Sequence, residues 1–352
     1  MPENIAPVSD LPLPELPELS EVLVFRALQL GDMLCAVPAL RALRAGLPKA
    51  RIVLIGLPWA EHFACRFSML VDEFIAFPGH PELPEPASDP HGWPAFRRRL
   101  RARRADLAIQ LHGSGEVSNA LVREFGARRT VGFTQSPLVD GPGFFPYPSH
   151  GHESDRLLNL TDALSLRATD RRLAFPLSLA DDDALNASGV PAQLDGRPYA
   201  CLHAGARDPG RRWPVTAFAA AADQLADAFG WQIVLTGSGD EHELAQQVVR
   251  MMRHVPINAA LPLTIGAMAA LMDGARVLVC NDSGASHIAA ALRLPSVVVF
   301  RRDRVDRWAP ADRRRHRCVL DPAGQRVDQV IAQAKCLMAA PMLSQRPPSA
   351  RD

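Results

Sequence analysis

Short apolar runs alternate along this chain with longer segments of helical period, an order that predicts parallel strands joined by crossover helices. Glu21–Arg26 (EVLVFR) reads as a strand, Asp32–Ala45 as a helix, and Arg51–Gly56 (RIVLIG) and Asp106–Leu111 (DLAIQL) as further strands. Gly132, Phe133, Pro146 and Tyr147 are expected in Gly/Pro-rich connections. The rhythm restarts at Tyr199–His203 (YACLH). It then predicts helix Thr216–Phe229, strand Trp231–Thr236, helices Glu241–His254 and Ile265–Asp273, strand Arg276–Cys280, helix Ser286–Leu292 and strand Ser296–Phe300. A pattern that runs twice implies an α/β protein of two doubly wound domains. Ligands of such sheets bind beyond the carboxyl ends of the strands, here in a central crevice that the two domains are expected to face.

The boundary is expected between Pro176 and Arg197, where Asp181, Asp182, Asp183, Gly189 and Pro191 interrupt the period. That places a first domain over 21–180 and a second over 192–337. Residues 1–20, rich in proline and acids and lacking the basic start of a signal peptide, read as a disordered leader, and 338–352 as a flexible tail. A length of 352 residues agrees with two domains. Thirty-nine basic residues against 38 acidic leave a net charge of +1, so no global field draws the chain onto nucleic acid. The apolar run Ile288–Phe300 is broken by Arg293 and Pro295 and is too short to span a bilayer. The six cysteines form no CxxC pair, so neither a metal centre nor a disulfide framework is expected, and they read as buried small hydrophobes in a reducing, cytoplasmic compartment.

The residues with chemistry follow strands. In Val277–Ala291 (VLVCNDSGASHIAAA) a buried strand ends in Asn281, Asp282, Ser283 and Gly284, and a helix follows with His287 in its first turn. A small-residue turn at a helix N-terminus suits a diphosphate, with Asp282 able to accept from a hydroxyl and His287 to donate to phosphate. The competing reading, a structural cap and a packed histidine, ranks slightly behind it. In His203–Pro214 (HAGARDPGRRWP), Arg207, Arg211 and Arg212 precede a helix and can neutralise a diphosphate leaving group without a metal. Trp213 either walls that pocket or staples the helix. Asp240 and Glu241 follow the next strand and can hold sugar hydroxyls or start a helix. Gly31-Asp32 follows the first strand, and Asp32 reads equally as a general base or as a helix N-cap. A single glycine there lacks the GxGxxG spacing of a dinucleotide site, and no cofactor is expected. Arg97–Arg104 (RRRLRARR) holds six arginines in eight residues and reads as a solvated helix flank, the alternative being a patch that meets anionic lipid headgroups or a phosphorylated acceptor glycan.

At these residues the chain resembles the family 9 glycosyltransferases, the heptosyltransferases of lipopolysaccharide core synthesis. The resemblance spans about Val22–Trp308. It rests on VLVFRALQLGDMLCAVPALRAL, DLAIQLHGSGEVSNALVREFGARRTVGF, HESDRLLNLTDALSL, HAGARDPGRRWP and CNDSGASHIAAALRLPSVVVF in that order. It implies a GT-B fold and metal-independent, inverting transfer of a sugar, usually from ADP-heptose, to a glycolipid acceptor, with peripheral contact at the inner membrane. It places the catalytic base at Asp32 and a basic residue, commonly lysine, at Arg211. The diphosphate turn falls on Asp282, Ser283 and Gly284, with His287 in the histidine place. His203, Arg207, Arg212 and Asp240 are expected on the donor, and Gly31 and His112 on the acceptor. The family's Phe-Gly-Pro-Thr is replaced by Phe300-Arg301-Arg302-Asp303, and its proline and methionine before the histidine by Ala285 and Ser286. The rival reading is a nucleotide-sugar-binding protein without transfer activity, acting in a glycan-assembly complex.

Overall fold

Every apolar run that reads as a strand enters one of two parallel sheets in the computed structural model, which describes residues 19–83, 90–302, 304–340 and 351. The first half comprises β1 (Glu21–Phe25), α1 (Leu30–Gly46), β2 (Arg51–Gly56), α2 (Glu61–Arg66), β3 (Glu73–Ala76), α3 (Trp93–Arg103) and β4 (Leu107–Gln110). It continues with α4 (Ser118–Arg123), β5 (Arg129–Thr134), α5 (Pro137–Asp140), β6 (Phe144–Pro146) and α6 (Glu153–Ala163). The second half begins with α7 (Leu179–Ala187), α8 (Val190–Leu194), β7 (Tyr199–His203), α9 (Val215–Phe229), β8 (Gln232–Gly237), α10 (His242–Met251), β9 (Ile257–Ala260) and α11 (Ile265–Asp273). It ends with β10 (Leu278–Asn281), α12 (Gly284–Leu292), β11 (Ser296–Phe300), α13 (Val305–Trp308), β12 (His316–Leu320) and α14 (Val327–Ala339).

The sheets run in the orders β3-β2-β1-β4-β5-β6 and β12-β11-β10-β7-β8-β9. Counted within each half these are the same order, that of a dinucleotide-type doubly wound sheet. Each reverses direction at its centre, between β1 and β4 and between β7 and β10. The inner strands are buried on both faces, as crossover helices require: β1 packs Leu23 and Phe25 with Val53, Phe96, Leu121 and Phe125 on one side, and β7 packs Ala200 and Leu202 with Phe218, Leu225 and Val279. The fold class read from the sequence holds: two parallel six-stranded sheets with flanking helices.

Several local expectations are corrected. Gly132 and Phe133 lie inside β5, and Pro146 ends β6. β6 is an edge strand, where a proline without an N–H costs no ladder bond. The acids read as a linker start a helix instead. Ser178 caps α7, and the Asp181 carboxylate accepts from the Ser178 N–H and hydroxyl at 2.9 and 3.0 Å. The chain divides at Arg171/Arg172, and short stretches at 30–35 and 150–153 cluster with the second unit. Most of the leader and most of the tail lie outside the described residues. Within the tail, Met338 and Ala339 complete α14, and Arg351 pairs with Asp182 and Asp273 at 2.6 and 3.0 Å.

On α3, Phe96 and Leu100 are buried, and of the six clustered arginines Arg103 braces the first sheet. Arg97 meets Glu124, while Arg103 bridges Glu21 and Glu73 at the starts of β1 and β3, and these bonds hold the Glu73 carboxyl below its usual range. Arg98, Arg99, Arg101 and Arg104 are exposed. The cysteines are all free, yet only Cys35, Cys201 and Cys280 are buried; Cys65 and Cys336 are exposed, which corrects the uniform expectation. Among the described residues no helix is long and apolar enough to cross a membrane.

Candidate functional site

The doubly wound order explains why most of the chemistry-bearing residues follow four particular strands, Asp240 and Glu241 after β8 being the exception. Gly31 and Asp32 follow β1 and His112 follows β4; the arginine loop follows β7 and Asp282 to Gly284 follow β10. These are the strands at the two switch points, where the flanking connections part to opposite faces and leave a cleft.

In the second unit, β10 delivers Asn281 and Asp282, then Ser283 as the N-cap of α12. Ser283 makes no side-chain cap bond, and its buried hydroxyl has no partner among the described residues. The first amides of a helix have no partner within it, so this N-terminus presents a hydroxyl and N–H groups with partial positive charge. Arg211 donates from Nη1 to the Asp282 carbonyl at 3.4 Å and lies 3.6 Å from its Oδ2. Burial raises the Asp282 carboxyl above the usual carboxylate range, opposed by Arg211 and Arg304 and reinforced by the nearby Asp32 carboxylate. Asp32 is the third residue of α1, behind an N-cap at Gln29, so the capping reading of Asp32 does not hold.

His287, in the first turn of α12, is buried. Its Nδ1 faces the Cys35 thiol at 3.7 Å, and the Trp308 ring meets it edge-on with centroids 6.1 Å apart. A side-chain carbon on Gly31 would come within 2.7 Å of the imidazole Cδ2, so only glycine allows the start of α1 to pass this ring.

In the loop after β7, the Asp208 carboxylate accepts from the Gly210 N–H at 2.8 Å and from Arg302 at 3.0 Å. Arg212 donates to the Ala206 carbonyl at 2.9 Å, and Arg207 is exposed. His203 is buried between the Thr236 hydroxyl at 3.3 Å and the Glu241 carboxylate at 3.8 Å, and burial holds its pKa below the ordinary histidine value. Asp240 is exposed, whereas Glu241 turns inward, accepts from the Ser238 N–H at 2.9 Å, and leaves no room for a side chain at Gly205. His112 belongs to the first unit, where it accepts from the Ala27 N–H at 3.2 Å and stacks on Phe25 with centroids 5.1 Å apart.

The second unit thus gathers Gly31, Asp32, Arg211, Asp282, Ser283, Gly284 and His287, and leaves Arg207 and Asp240 at the surface. Sequence reasoning gave no role to Glu153, which is buried and accepts from Arg307 at 2.8 Å, or to Trp308, beneath the Arg307 guanidinium at 4.8 Å. The one trace of Glu153 in the sequence is the HESDR segment that carried part of the resemblance.

Buried imidazoles make stability depend on pH, His287 and His316 most strongly. Burial pushes His287 and His316 down to about 3, opposed by Glu153 and Asp312 respectively. An unfolded histidine titrates near ~6.5, so from there down to about pH 3 the unfolded chain binds protons that the folded chain excludes. Stability is therefore fully present above that window and falls as pH falls, by about 1.4 kcal/mol per pH unit for each histidine. Urea unfolding at about pH 6 and about pH 5 is expected to show this loss, and His316→Asn, which keeps a partner for the Ser296 hydroxyl, to reduce it. Equal stability at both pH values would contradict neutral buried rings.

Two parallel six-stranded, doubly wound sheets with flanking helices are the architecture of the GT-B fold. The glycosyl transferase family 9 structure from Veillonella parvula DSM 2008 superposes with a TM-score of 0.75 at 21% identity, covering 93% of this chain and 99% of that one. The Escherichia coli ADP-heptose lipopolysaccharide heptosyltransferase II does so with a TM-score of 0.68 at 22% identity, covering 90% and 99%. In sequence, lipopolysaccharide heptosyltransferase 2 of Escherichia coli strain K12 is 27% identical over 297 residues, 80% of this chain and 82% of that protein. The family profile of glycosyltransferase family 9 (heptosyltransferase) matches residues 93–335, and the chain belongs to that family.

Proposed function

We propose that the protein is an inverting heptosyltransferase that moves heptose from ADP-heptose to a lipopolysaccharide-type glycolipid. The observation that carries this reading is the convergence of Asp32, Asp282 and Arg211 at the N-terminus of α12. Support for the donor comes from an E. coli heptosyltransferase with the same fold, solved with ADP and with an ADP-fluoroheptose. Support for the acceptor comes from relatives that are lipopolysaccharide heptosyltransferases.

In this mechanism the acceptor hydroxyl gives its proton to the Asp32 carboxylate and its oxygen attacks the anomeric carbon, from which the bond to the diphosphate oxygen breaks. Arg211 and the amides at Ser283 and Gly284 stabilise the charge that develops on the leaving ADP. His287, kept neutral by burial, donates its remaining N–H to a phosphate oxygen. Arg212, His203 and Glu241 line the donor side, and Gly31 and His112 the acceptor side. Arginine neutralises the leaving group, so the reaction needs no divalent cation.

The test is product formation from ADP-heptose and a lipopolysaccharide-core acceptor, followed by mass spectrometry and by NMR of the new anomeric centre. The expected outcome is one added heptose with inverted configuration, at a rate unchanged by chelator. Binding of the donor without product would favour the catalytically silent reading. Running the assay with acceptor in sedimented vesicles tests the further expectation that the enzyme works as a cytoplasmic protein, peripheral at the inner membrane.

A further inference from the structure

Trp213 is buried, and its surroundings account for it more fully than a pocket wall or a helix staple does. Its backbone N–H donates to Asn281 Oδ1 at 2.8 Å, and its indole N–H donates to Asp321 Oδ2 at 2.7 Å. Asn281 in turn donates from Nδ2 to the Ala204 carbonyl at 2.8 Å. Asp321 also accepts from the backbone N–H groups of Gly324, Gln325 and Arg326 at 2.8, 3.1 and 2.9 Å. Those bonds hold its carboxyl below the usual range against the opposing effect of burial. Trp213 therefore joins the loop after β7 to the end of β10 by its backbone and to the loop after β12 by its indole.

We propose that Asp321, acting through Trp213, is a positioning residue that fixes Arg211 against the diphosphate turn. The placement is direct: Arg211 precedes Trp213 by two residues, and Asp282 follows Asn281. With Trp213 held at both its backbone and its ring, the intervening chain has little freedom, and the Arg211 guanidinium is kept 3.6 Å from Asp282. A buried charge-assisted bond is stiffer than a neutral one and costs more to leave unmade, so the carboxylate suits this role better than an amide. The inference rests on the reading of Arg211 as a diphosphate ligand.

The experiment is a double-mutant cycle on the full chain, with ADP affinity read by titration calorimetry for Asp321→Asn, Arg211→Ala and the pair. Asp321→Asn is expected to weaken ADP about tenfold in the native background, the size of one charge-assisted hydrogen bond, and hardly at all once Arg211 is gone. Trp213→Phe keeps an aromatic side chain in this buried place while removing the indole N–H donor, and is expected to repeat the pattern if Asp321→Asn does not fold. Equal weakening in both backgrounds, or none in the native one, would overturn the positioning role, because a merely structural loss does not depend on Arg211. If Arg211→Ala itself leaves ADP affinity unchanged, the diphosphate reading fails first and takes this proposal with it.

Discussion

Asp32→Ala is expected to lose turnover by at least about a hundredfold, the low end of what a positioned general base supplies, while ADP affinity stays nearly intact. The split follows from position. Asp32 lies in the first turn of α1, close enough to Asp282 to raise its pKa, whereas the donor's diphosphate is expected on the neighbouring α12 turn. Removing a base that touches only the acceptor hydroxyl slows the chemical step and spares nucleotide binding. A first-turn carboxylate that merely favours the helix dipole is worth under about 1 kcal/mol of stability and nothing in rate. Initial rates with ADP-heptose and acceptor, alongside calorimetry with ADP, separate the two. Retained turnover in the variant sinks Asp32 as the base.

Arg211→Ala is expected to act on both quantities, weakening ADP and lowering kcat by about 10²- to 10³-fold, the range for removal of one preorganised donor to a developing charge. Arg211 is partly exposed and held only weakly by Asp282, so most of its hydrogen-bonding capacity remains for a ligand. Lysine keeps the charge and loses the fork, so Arg211→Lys should fall between the native protein and the alanine variant. Calorimetry of the native chain with ADP, UDP, GDP and NAD sets the reference. Selective ADP binding supports the heptose donor; preference for UDP or GDP keeps a glycosyltransferase and discards heptose; binding of NAD alone overturns the reading.

Much of the fold was legible because its strands are hydrophobic runs buried on both sides. Arg51–Gly56, Tyr199–His203, Ile265–Asp273 and Ser296–Phe300 emerge with the bounds read from the sequence. β3, β9 and β12 went unread as strands because they are sheet edges, where polar residues such as Glu73, Asn258 and Arg317 interrupt the apolar run. The three aspartates after Ser178 misled because acids punctuate a loop and open a helix equally well. What decides is whether Asp181 reaches back to its cap, and it does. In the site, Asp240 and Glu241 were indistinguishable as neighbours in a turn. The capping bond to Ser238 rotates Glu241 inward and leaves Asp240 in solvent. The arginine run also divides by contact, since Arg103 finds Glu21 and Glu73 while Arg98 and Arg99 remain exposed.

By itself, then, the sequence determined the two α/β halves and the strand ends at which the chemistry falls, because hydrophobic period and small-residue turns are local properties. Only the tertiary structure decided which of those residues meet. The abutment of Gly31 with His287, the pairing of Arg211 with Asp282 and the hold of Asp321 on Trp213 join residues 71 to 256 positions apart in the chain. No local pattern encodes such meetings; that of Arg211 with Asp282 follows from the strand order, which brings the carboxyl ends of β7 and β10 side by side.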